Sequence, residues 1–157
     1  MLNDKETVKA ELSELWPIME EKILSGGKVK FHPKGTSMLP LLRQGIDSVE
    51  LTKAPETLKK YDIPLYKREN GQFVLHRVVK VTKNGYVMCG DNQYVREKYI
   101  QNDQILAITS GIYKGNKYIP CNDKDYIKYS KKQVLKKHIQ SYLSKIKRFV
   151  IKLIKKD

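Results

Sequence analysis

Between residues 28 and about 120 the chain is cut into short β-rich runs by tight turn signals, and this constrains the fold more than any other feature. The runs are "KVKFH", "SVEL", "IPLYKR", "QFVLHRVVKV", "GYVMCG", "QILAITSGIY" and "KYIP". Asn70–Gly71 and Asn84–Gly85 are hairpin signals, because a two-residue turn that matches strand twist needs positive φ. Gly115–Asn116 reads as a third turn. Strands this short and this closely spaced predict a mainly β architecture, a small β barrel or a folded sheet.

Helical spacing flanks this region on both sides. Val8, Leu12, Leu15, Trp16, Met19, Ile23 and Leu24 predict an amphipathic helix over 4–25, capped at Asn3 or Asp4 and ended by Gly26–Gly27. It is too short for a helix-turn-helix. Residues 122–129 read as a connector. From Ser130, Val134, Leu135, Ile139, Tyr142, Leu143, Ile146, Val150, Leu153 and Ile154 recur on one side, with lysines elsewhere. The expected organisation is a helix over 1–27, a β core over 28–121, and a connector with a basic amphipathic helix over 122–157.

The charge is concentrated in that last segment. Residues 131–157 hold ten Lys/Arg against one acid, Asp157, and so carry +9 of the net +14. A basic amphipathic tail suits an anionic partner. An anionic membrane surface met by residues 131–156 is one expectation; self-packing with solvated lysines is the other. Nucleic acid fits less well, since only Tyr142 and Phe149 in the tail offer rings for stacking. No run of 18 or more apolar residues occurs, and the N-terminus is acidic rather than a basic-then-apolar leader. Cys89 and Cys121 form no metal spacing and no disulfide framework, which favours a reduced compartment. The expected location is cytoplasmic or peripheral to a membrane, and no cofactor or metal is expected.

The stretch "GTSMLP", residues 35–40, is unusual for a structural turn. Gly35 permits a bend that a β-carbon obstructs, and Pro40 fixes the chain beyond it. A serine nucleophile must be exposed and aimed; the bend around Ser37 meets the requirements of a nucleophile turn, and its N–H groups can converge on a developing oxyanion. An ordinary turn serine satisfies the same six residues. A base must come from elsewhere. His76 lies in "FVLHRVV", where period-two alternation puts Val74, His76 and Val78 on one face and Phe73, Leu75, Arg77 and Val79 on the other. Such a histidine is partly buried, which favours its neutral, proton-accepting form; a satisfied core histidine is the plainer reading. His32, His138 and Lys67 are rivals, although Arg68 and Glu69 mark the Lys67 strand end as exposed. In "MCGDNQYVRE" Asp91 follows a glycine at a strand end, where it either orients an imidazole or holds a turn.

Taken in order, "GTSMLPLLRQGIDSV", "YDIPLYKRENGQFVLHRVVKV" and "GYVMCGDN" resemble the signal peptidase I and LexA-like serine peptidase superfamily over about residues 28–120. The chain looks like the Ser/His branch, represented by endoplasmic-reticulum, archaeal and some Gram-positive signal peptidases, because "HRVV" stands where the usual bacterial enzyme has a lysine base. The resemblance implies Ser37 as nucleophile, His76 as general base and Asp91 as supporting acid, with Glu97 in the place of a second acid. It implies that Gly35 and Thr36 border the oxyanion site and that Met38 shapes the substrate pocket. It further implies a bacterial peptidase that cleaves a peptide or precursor protein by acyl transfer. Departures are visible. Gly35 stands where many signal peptidases carry a hydroxyl, and neither a membrane anchor nor a DNA-binding domain is expected beside the core. A non-catalytic peptide-binding module of the same fold is the alternative.

Overall fold

A computed structural model describes residues 11–154. The predicted hairpins form where glycine relieves the backbone. Strand β3 (Pro64–Lys67) turns into β4 (Phe73–Leu75) through Gly71 at φ +86°, and β5 (Arg77–Thr82) turns into β6 (Gly85–Cys89) through Gly85 at φ +116°. A Cβ on Gly85 would also lie 2.7 Å from the carbonyl oxygen of Ile100, so this position excludes a side chain twice over.

The remaining strands are β1 (Val29–Phe31), β2 (Ser48–Thr52), β7 (Glu97–Ile100), β8 (Ile105–Lys114) and β9 (Lys117–Pro120). One antiparallel sheet runs β1-β2-β8-β3-β4, with β9 also paired to β8; a second runs β5-β6-β7. The sheets do not close into a barrel, and among the described residues β1, β4 and β9 each pair with one strand only. Of the two expected β architectures, the folded sheet describes the chain. Strand β7 was not among the predicted runs. Its "EKYI" lacks alternation, and pairing with β6 rather than local pattern makes it a strand.

"QFVLHRVVKV" is not one strand. It is β4 and β5, which belong to different sheets, with His76 at the break between them. Residues 74–79 are all buried. The expected two-face alternation therefore fails: a strand passing from one sheet to the other is covered on both sides.

Helix α1 (Leu12–Leu24) starts later than the periodicity predicts. Glu11 is extended, and its N–H donates to the Glu14 carboxylate at 3.2 Å, closing the first turn. The predicted caps Asn3 and Asp4, and Val8, lie outside the described residues. Trp16 and Ile23 enter a core with Met38, Leu42, Leu51, Leu65 and Leu75, and the Trp16 ring lies 5.9 Å from that of Phe73. Helix α2 (Lys124–Ile154) starts earlier than predicted. Asp123 accepts from the N–H groups of Asp125 and Tyr126 at 2.9 and 3.0 Å, an N-terminal cap that turns the expected connector into helix. Tyr126 and Val134 seat this first half of α2 against the core. Among the described residues no helix is long and apolar enough to cross a membrane.

Candidate functional site

The turn that carries Ser37 is built on its apolar neighbours. Met38 is 4% exposed and Leu42 2%, both in the main core, while Ser37 is half-buried and Gly35 and Thr36 are exposed. This explains a methionine and a leucine beside a turn serine: they root the bend, and Met38 is a core residue. Gly35 sits at φ +92°, and its N–H donates to the Gln44 side chain at 2.5 Å. The Leu42 N–H donates to the carbonyl of Met38 at 2.9 Å. Further on, the fully buried Asp47 accepts from the Arg43 backbone and guanidinium, from Lys114 Nζ at 2.7 Å and from the Gly115 N–H at 3.0 Å. That carboxylate ties the loop after Ser37 to the β8–β9 hairpin.

"GDN" at 90–92 lies directly behind the Ser37 turn. The Asn92 N–H donates to the Ser37 carbonyl at 2.8 Å, and its side-chain amide donates to the Thr36 carbonyl at 3.2 Å. A Cβ on Gly90 would fall 2.6 Å from the Ser37 carbonyl oxygen, so only glycine allows this approach. Asn92 is a positioning residue that the sequence reading missed; its place after Gly-Asp was the available signal.

Asp91 does not orient the imidazole. Its carboxylate is held in a fork by Arg77, with Nε and Nη2 donating at 2.8 Å each, and it accepts from the Tyr129 hydroxyl at 3.1 Å. Arg77 also donates to Ser130 Oγ at 2.8 Å and to the Tyr61 carbonyl at 3.1 Å. Both side chains of this ion pair are almost wholly buried. Burial alone would lower the Arg77 pKa, but the paired carboxylate raises it above the ordinary arginine value. Of the two readings of Asp91, orienting an imidazole or holding a turn, its contacts fit the second: the charge locks β5, the 90–92 turn and α2 together.

Glu97 takes the position beside His76. The imidazole, 3% exposed, has Nδ1 at 3.2 Å from Glu97 Oε1 and 3.3 Å from the Tyr66 hydroxyl. Burial pushes the His76 pKa below its ordinary value, and the Glu97 charge offsets part of that shift. Glu97 is itself clamped by Arg68, whose Nε donates to Oε2 at 2.7 Å while Nη2 meets Oε1. Burial works against the carboxylate, yet hydrogen bonds from Arg68 and Tyr66 and the charge of Arg68 hold its pKa below the usual range. Arg68 and Tyr66 were not read as site residues. Arg68 looked like the mark of an exposed strand end, and only the arrival of β7 turns it inward. In the tautomer with Nδ1 protonated, facing Glu97 Oε1 and the Tyr66 hydroxyl, the neutral imidazole carries its lone pair on Nε2, the nitrogen a general base uses.

Ser37 and His76 line one cleft of about 1050 Å³. It runs between β1 and β4, with α1 alongside, and its apolar wall includes Phe31, Leu65, Phe73 and Leu75. His32 is exposed at the rim. Lys67 is exposed with its ammonium over the Phe73 ring, 5.4 Å from the centroid, and His138 lies on α2. Neither of those two lines the cleft. Among the described residues no group of three His, Cys, Asp or Glu side chains is placed to hold a metal ion. The site thus consists of a hydroxyl on a rigid turn, a buried imidazole fixed through Nδ1, and a clamped carboxylate behind it. Among the described residues no hydrogen bond joins the Ser37 hydroxyl to the His76 ring; the two groups are brought together only as walls of the same cleft.

Comparison of the chain with family models, with curated proteins and with solved structures finds no match.

Proposed function

We propose that the protein is a small serine endopeptidase of signal-peptidase- and LexA-like fold, with Ser37 as nucleophile, His76 as general base and Glu97 as the carboxylate that orients the base. The observation that carries this reading is the Nδ1 contact of His76 with Glu97, made by a ring that shares a cleft with Ser37. In the reaction, Nε2 of His76 takes the Ser37 proton while Oγ bonds to a peptide carbonyl carbon. Backbone N–H groups of the Thr36–Met38 bend stabilise the oxyanion, the Gly35 N–H being taken by Gln44. The C–N bond then breaks as His76 returns the proton to the leaving amine, and water, deprotonated by His76, hydrolyses the ester to free Ser37.

The substrate is an extended peptide or precursor segment. Residues of β1 and β4 line the cleft, and each strand pairs with one neighbour only among the described residues; an edge left so can bind a strand by main-chain hydrogen bonds. A serine-directed fluorophosphonate should add one adduct, located on Ser37 by peptide mass spectrometry. Ser37→Ala and His76→Ala should abolish labelling and peptide cleavage. Labelling that persists in Ser37→Ala, or an unmodified Ser37 in folded protein, overturns the peptidase reading.

One observation favours a second reading, a peptide-binding module without turnover. The φ of +92° at Gly35 strains any residue with a side chain, so a hydroxyl donor is disfavoured there. In that case peptide binding persists in wild type and Ser37→Ala alike, with no cleavage in either.

A further inference from the structure

The two halves of α2 face opposite ways. Tyr126, Ser130, Val134 and Lys137 are the buried residues of this helix, and all lie in its first half. Beyond them Ile139, Leu143, Ile146, Phe149, Val150 and Leu153 are 44–64% exposed. At 3.6 residues per turn, the centre of this second stripe lies about 170° around the axis from the buried face. It does not continue the seam with the core; a straight helix points it away.

Charge decides what fits it. Residues 126–154 contain no acid. On the same wheel, Lys145 and Lys152 run along one margin of the stripe and Lys147, with Lys136 just before the stripe begins, along the other; Ser141, Ser144 and Arg148 lie behind, interrupted by the exposed Ile151. An apolar strip flanked on both sides by lysines and backed by a face that is polar except at Ile151 is the pattern of a helix lying in a headgroup layer. A second copy of the same helix would bring lysine margins against lysine margins, with no acid to pair them. A nucleic acid would meet the lysines but leave the apolar strip uncovered.

We propose that residues 138–154, a segment about 25 Å long, dock the protein on an anionic lipid surface, the apolar strip entering the acyl boundary and the flanking lysines meeting lipid phosphates. This rests on α2 alone and holds whether or not Ser37 is a nucleophile.

The test is flotation of the full chain with phosphatidylcholine vesicles, with and without one-third phosphatidylglycerol. Binding should require the anionic lipid and weaken with added salt. The triple variant Lys145→Glu, Lys147→Glu, Lys152→Glu should bind at least about tenfold more weakly, since each cation near such a surface contributes. The variant Ile146→Gln, Val150→Gln should lose binding at unchanged charge. All five positions are exposed, so circular dichroism and melting should match wild type. Absence of vesicle binding overturns the proposal. So does equal binding to neutral vesicles, a dimer that Ile146→Gln dissociates in place of vesicle binding, or oligonucleotide binding tighter than vesicle binding at the same salt.

Discussion

At the scale of single residues, the two acids of the site divide their labour, and substitution separates them. Glu97 touches the imidazole, whereas Asp91 neutralises a buried arginine. Glu97→Gln keeps the shape but removes the charge beside Nδ1 and introduces an amide N–H that can face the ring in place of an acceptor. If His76 is the base, kcat should fall by about a hundred- to ten-thousand-fold with little change in KM, because the ring loses its correct tautomer. Asp91→Asn leaves the Arg77 charge buried and poorly paired. Its main effect should be on folding, about 3–5 kcal/mol by urea denaturation, with activity lost through instability. A pair of variants in which Glu97→Gln is the unstable one and Asp91→Asn the inactive but stable one would reverse these roles. Much of the site was legible at this scale: "GTSMLP" and "FVLHRVV" contain the hydroxyl and the imidazole that share the cleft. The choice between acids was not, since Asp91 and Glu97 are near neighbours in sequence and differ only in which cation reaches them.

At the scale of elements, the strand break at His76 does most to build the site. It lets one run of sequence serve two sheets, and it places the ring where β4, β7 and the cleft meet. Apolar alternation carries no sign of such a break, because "VLHRVV" is buried throughout. The turn at 90–92 is the second device, closing on the back of the Ser37 bend through Asn92 and the missing side chain of Gly90. Helix α2 is the third, and its halves differ in kind. Ser130 and Tyr129 complete the Arg77–Asp91 network, while from Tyr142 onward every described residue is exposed. Truncation after Gln140 should therefore shift the melting temperature by no more than about 2 °C, a small-domain shift equal to a fraction of a kcal/mol. Val134→Ala should cost about 1–2 kcal/mol, because it empties a packed position. A large loss of stability on truncation would show that the distal half packs on the core after all.

At the scale of the whole molecule, the shifted groups predict a stability profile with two acid steps. His76 and His138 both have pKa values lowered by burial. Between the folded value and about 6.5, the unfolded chain binds more protons than the folded one. Stability therefore rises with pH through that window, is lost on acidification through it, and changes no further on this account below it. Asp47, Glu50 and Glu97 are held below the ordinary carboxylate range by their cations and hydrogen bonds. Their stabilisation is present above about pH 4 and is lost as pH falls further. Asp62, raised by burial, works in the opposite direction. Urea midpoints from pH 8 to 3 should show a plateau, a first decline below about 6.5 and a steeper one below about 4. Turnover by the proposed peptidase should hold to a lower pH than an ordinary imidazole permits, since a lowered pKa keeps the base unprotonated. A stability maximum near pH 5 would contradict the histidine shifts.

The amino-acid sequence by itself determined the mainly β class, the hairpins and the two flanking helices, because these rest on local geometry: glycine's freedom at positive φ, and apolar residues recurring with period two or 3.6. It also placed the serine in a bend and the histidine in an apolar run. Only the tertiary structure decided that the sheets stay open, that one strand breaks at His76, that Glu97 meets the imidazole while Asp91 meets Arg77, and that the distal stripe of α2 faces away from the core. Those outcomes depend on which distant side chains share a desolvated space, and a charge finds its partner there by packing.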